Sequence, residues 1–78
     1  MKERYYMYLL KIQNTITEDN PVTTFVNVDE IASFRYKKEV DSTLIVLKNS
    51  ETLAVTGDKT LDLSRKLARL DGNVLTLE

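Results

Sequence analysis

Within the stretch Ile31 to Lys38, apolar and polar residues change places at every step from Ala32 to Lys37, where Ala32, Phe34 and Tyr36 alternate with Ser33, Arg35 and Lys37. That period of two predicts a half-buried strand with Phe34 and Tyr36 inward and Arg35 and Lys37 in solvent, because successive side chains of an extended chain point to opposite faces. Tyr5 to Gln13 reads as a first strand. Its even positions Tyr6, Tyr8, Leu10 and Ile12 make one apolar row, and Tyr5, Met7 and Leu9 make another that turns polar at Lys11. Asn14 to Pro21 is a loop, rich in Asn, Thr and acids. Val22 to Val28 is a second strand, with Val22, Thr24, Val26 and Val28 on one side and Phe25 on the other. Asp29 sits in a short break before Ile31, where its carboxylate is placed to cap amides two residues on. Glu39 to Ser42 is a polar hairpin loop. Thr43 to Lys48 is apolar on both faces, Leu44 and Val46 alternating with Ile45 and Leu47, which marks a central strand covered on both sides. Asn49 and Ser50 connect it to Thr52–Thr56, where Leu53 and Val55 are in phase.

The period then changes. Leu63, Leu67 and Leu70 recur at i, i+4 and i+7, widened by Leu61 and Ala68, which predicts an amphipathic helix from about Asp58 to Asp71. Asp58 is placed as its N-cap and Gly72 as its left-handed exit. Asp62, Arg65, Lys66 and Arg69 occupy the polar arc, acid early and base late, as the helix dipole favours. Asn73 to Glu78 returns as a last strand at a sheet edge. The expected fold is therefore α+β: a single domain over 1–78, an antiparallel meander of five to six strands and one helix in the C-terminal half. A helix of about 20 Å covers only part of one sheet face. Tyr5, Met7, Leu9, Phe25, Ile45 and Leu47 lie out of phase with the inward rows. Exposing them all would make a larger apolar patch than soluble monomers carry. Either the sheet curls into a partly closed barrel, or a second chain covers the far side.

Composition narrows the chemistry more than the fold. The chain has 78 residues and neither histidine nor cysteine. Triads of the Ser-His or Cys-His kind are excluded, and so are thiolate metal sites and disulfides. The carboxylate pairs Glu18-Asp19 and Asp29-Glu30 lack the spacing of a calcium loop, and Gly57 lacks the companions of a phosphate loop. The expectation is no catalytic residue, no metal and no cofactor. With eleven basic and twelve acidic residues, the chain lacks the basic excess of a dedicated nucleic-acid binder. Two basic groups remain, Arg35 with Lys37 and Lys38 on the third strand, and Arg65 with Lys66 and Arg69 on the helix. No run of about 18 apolar residues exists to span a membrane. The apolar part of MKERYYMYLLKIQ is too short for a signal peptide and is broken by Lys11 and Gln13, so the expected location is cytoplasmic.

The stretch Val26-Asn27-Val28-Asp29-Glu30-Ile31, followed by Leu44-Ile45-Val46-Leu47-Lys48-Asn49, Leu53-Ala54-Val55 and Leu63 to Leu70, resembles small bacterial and phage-borne proteins of the FlbD type. Its layout is also loosely similar to part of the LytTR-type DNA-binding domain. Ser50 stands where the turn glycine of these proteins is usual, and the basic loop of a DNA reader has no counterpart. The resemblance implies the strand–strand–helix layout and a regulatory role, and it carries over no catalytic residue.

Taken together, the residues predict a non-catalytic interaction or regulatory module. It would form a homodimer, or bind a protein partner, through Tyr5, Met7, Leu9 and Phe25. The second reading is a DNA- or RNA-binding regulator using Arg35, Lys37, Arg65 and Arg69.

Overall fold

The structure, a computed structural model, describes residues 7–15, 20–70 and 72–77. Among them six strands and one α-helix run in the order β1 (Leu9–Asn14), β2 (Val22–Asn27), β3 (Ile31–Lys37), β4 (Ser42–Leu47), β5 (Thr52–Thr56), α1 (Thr60–Arg69) and β6 (Val74–Thr76). The small α+β class follows from this order. The strands divide into two three-stranded sheets, β2-β1-β6 and β3-β4-β5. The second is the antiparallel meander that the alternation predicts. In the first, β1 pairs antiparallel with β2 but parallel with β6, which returns to the sheet edge only after α1.

One core lies between the layers. Leu10, Ile12 and Val26 come from the first sheet, Ile45, Leu53 and Val55 from the second, and Leu63, Leu75 and Leu77 complete it. Phe34, Leu67 and Leu70 pack against it partly buried. The phase of β4 differs from expectation. Ile45 is fully buried and Leu47 packs on the core, while Leu44 and Val46 on the opposite face are half-buried. A strand apolar on both sides carries no phase of its own. Its neighbours set it, through the register Phe34–Ile45–Leu53, in which three large side chains meet across the sheet.

The sheets do not close into a barrel among the described residues. Among the described residues they are joined at two places. β2 runs into β3 through the short 3-10 turn Val28–Glu30, capped by the Asn27 side chain, which accepts the Asp29 N–H at 2.9 Å. The capping residue is thus Asn27 rather than the expected Asp29, because it stands at the last extended position before the turn. At the second join, Thr15 N–H donates to Ala54 O at 2.9 Å and Ala54 N–H donates to Asn14 Oδ1 at 3.0 Å.

The helix is shorter than its leucine stripe suggested. Thr43, fully buried on β4, accepts the Lys59 N–H and donates to Gly57 O, both at 2.7 Å. Asp58 accepts the Thr60 hydroxyl at 2.7 Å and its N–H at 3.2 Å, so the backbone turns before it coils. Lys59 therefore takes the cap position expected of Asp58. At the other end Leu70 itself adopts the left-handed conformation (φ 50°, ψ 48°), two residues before Gly72. Ser50 also has positive φ (76°), in the turn where glycine would be at ease.

Candidate functional site

Pairing in the first sheet decides which side chains face outward. Leu9 lies opposite Asn27 on one side and Val74 on the other, and Lys11 lies opposite Phe25 and Thr76. These residues share the face turned away from Leu10, Ile12 and Leu75. Phe25 is 54% exposed and Val74 50% exposed there, while Leu9 is half-buried between their strands. Met7, just before β1, is 62% exposed. Three of the four residues expected at an interface thus fall on or beside one sheet face. The fourth, Tyr5, lies outside the described residues. Val74 is an addition that the sequence concealed, because β6 reaches this face by a parallel pairing across most of the chain. Ile45 and Leu47 belong to the core and do not enlarge the patch.

The basic residues divide. Arg35 and Lys37 are exposed on the outer face of β3, opposite Leu44 and Ser42 of β4. Arg65, Lys66 and Arg69 line a groove of about 430 Å³ between α1 and β6, together with Asp62, Val74, Leu75 and Thr76. Asp62 and Lys66 form an i,i+4 ion pair at 3.3 Å, a surface contact of small energetic weight. The groove does not include Arg35 or Lys37.

A polar cluster at the β3–β4 turn fixes the start of α1. The Tyr36 hydroxyl donates to Asp41 Oδ1 at 2.6 Å, and Gly57 N–H donates to Asp41 O at 2.7 Å. The bond to Asp41 raises the Tyr36 pKa, because it favours the neutral phenol, and the nearby carboxylates add to the effect. The Thr60 hydroxyl, and then its N–H, lower the Asp58 pKa by stabilising the carboxylate. Both shifts belong to the scaffold and move neither group toward neutrality. Among the described residues no three His, Cys, Asp or Glu side chains gather as a metal site, and no helix is long and apolar enough to cross a membrane. Comparison with known protein families, with curated proteins and with solved structures found no match.

Proposed function

We propose that this protein is a non-catalytic, cytoplasmic regulatory module that pairs with a second copy of itself through the outer face of β2-β1-β6. The observation that carries the reading is the exposed Phe25 beside Leu9 and Val74, in a sheet whose other face is already committed to the core. Burying the exposed half of one large aromatic side chain is worth about 1 kcal/mol, and two-fold symmetry counts each contact twice. A net charge of −1 opposes self-association only weakly. Tyr5 joins the interface on the sequence pattern alone. The lack of histidine and cysteine supports a role without catalysis, and regulation is proposed from the FlbD-type layout read in the sequence from Val26 to Leu70, with no family match behind it. Replacing Met7 with Lys, or Phe25 with Glu, should convert dimer to monomer in light scattering; an unchanged mass would count against the interface.

The second reading, a nucleic-acid regulator, draws on Arg65 and Arg69 along one groove and on Arg35 and Lys37 elsewhere. The neutral charge balance weighs against it. Binding to arbitrary duplex that weakens steeply with salt would favour it over the first.

A further inference from the structure

Among the described residues the parallel ladder between β1 and β6 uses half of the β6 backbone. Leu9 N–H donates to Asn73 O and Leu77 N–H donates to Lys11 O, each at 2.9 Å. With Leu9 bridged to Val74 and Lys11 bridged to Thr76, this pattern assigns the N–H and C=O of Leu75 to β1. The N–H and C=O groups of Val74 and Thr76 are therefore left on the opposite edge. Among the described residues that edge borders the groove walled by Arg65, Lys66 and Arg69, where Lys66 pairs with Asp62 and Arg65 is exposed. A strand edge and a basic helix face thus share one groove.

We propose that this groove binds an extended acidic segment of another protein, which adds to β6 as a further strand. Main-chain bonds to Val74 and Thr76 would hold it, and its acidic side chains would meet the helix. The geometry also sets the sequence of the segment. Leu75 points into the core beside Leu63 of α1, so added residues paired with Leu75 turn toward the helix and its arginines. Residues paired with Val74 and Thr76 turn to the outer face, where apolar side chains suit the exposed Val74. The segment therefore alternates acidic with apolar residues. Because β6 spans only Val74–Thr76, the added ladder is short and the binding is weak and reversible.

The test uses fluorescence anisotropy of the full chain with a short labelled peptide of alternating Glu and Val. Saturable binding is expected, weakened by about tenfold or more in Arg65→Glu, since one charge-assisted contact is replaced by repulsion. Methylating the backbone nitrogens on one edge of the peptide should abolish binding, and this leaves the protein fold untouched. Lys48→Glu, a charge reversal at an exposed position outside the groove, should bind the peptide as the parent does, which separates this site from the general charge of the chain. No binding of the Glu–Val peptide overturns the proposal. Equal binding of both N-methylated isomers overturns it as well, since it would show ion exchange without strand addition. So does tighter, Arg65-dependent binding of a single-stranded oligonucleotide.

Discussion

Thr43 ties the helix to the second sheet through a single hydroxyl. Replacing it with Val keeps the shape but leaves the Gly57 carbonyl and the Lys59 N–H without their bonds. The expected loss is about 2 kcal/mol, read as a lower urea midpoint with an unchanged slope. This role was not legible in the sequence. Thr43 bonds to residues 14 and 16 positions away, and STLIVL gives no sign that its threonine is buried. Tyr36 shares the face of Phe34 but stays half-buried outside the core, and its bond to Asp41 was not legible because it spans a turn whose conformation the residue types do not fix. That bond gives a pH signature. The folded pKa of Tyr36 is raised, so its contribution to stability is complete below the unfolded value of about 10 and fades as pH rises through the folded one. Alkaline unfolding should show the parent losing its advantage over Tyr36→Phe in that range; a constant difference across it would contradict the assignment.

Among the elements, legibility followed the clarity of the period. β3 was readable from Phe34 to Lys37, where the alternation holds, but not at its start, where the register shifts between Ile31 and Ser33 and Ala32 is exposed; β5 was readable because Leu53 and Val55 share one phase. β4 could be placed as the central strand but not oriented. The sequence also placed β6 at an edge but concealed its parallel direction, which depends on where α1 delivers the chain. The join between the sheets was hidden for a related reason. It rests on Asn14, which reads as the first residue of a loop, and its side chain stands in for a backbone acceptor opposite Ala54. Asn14→Ala should remove that acceptor at a cost of about 1 kcal/mol. The Ala54 amide should then exchange its hydrogen markedly faster, with the β3–β4 amides unchanged. Slow exchange at Ala54 in the variant would mean that the corner is held by Thr15 alone.

On the scale of the whole molecule, the chain solves half of its burial problem internally. A thin core, as expected for a chain of this length, takes the inward rows of both sheets and the helix stripe. The outer row at Met7, Leu9, Phe25 and Val74 has no covering element among the described residues. The sequence identified the first three from their phase along the strands, and only the folded register added Val74. Self-association through this face is the central claim. Light scattering across a range of protein concentrations, on the parent and on Phe25→Glu, tests it most directly. The parent should approach twice the 9.0 kDa mass of one chain, while Phe25→Glu stays at one chain throughout. A parent that remains a single chain at every concentration, or a variant that pairs as well as the parent, would contradict it.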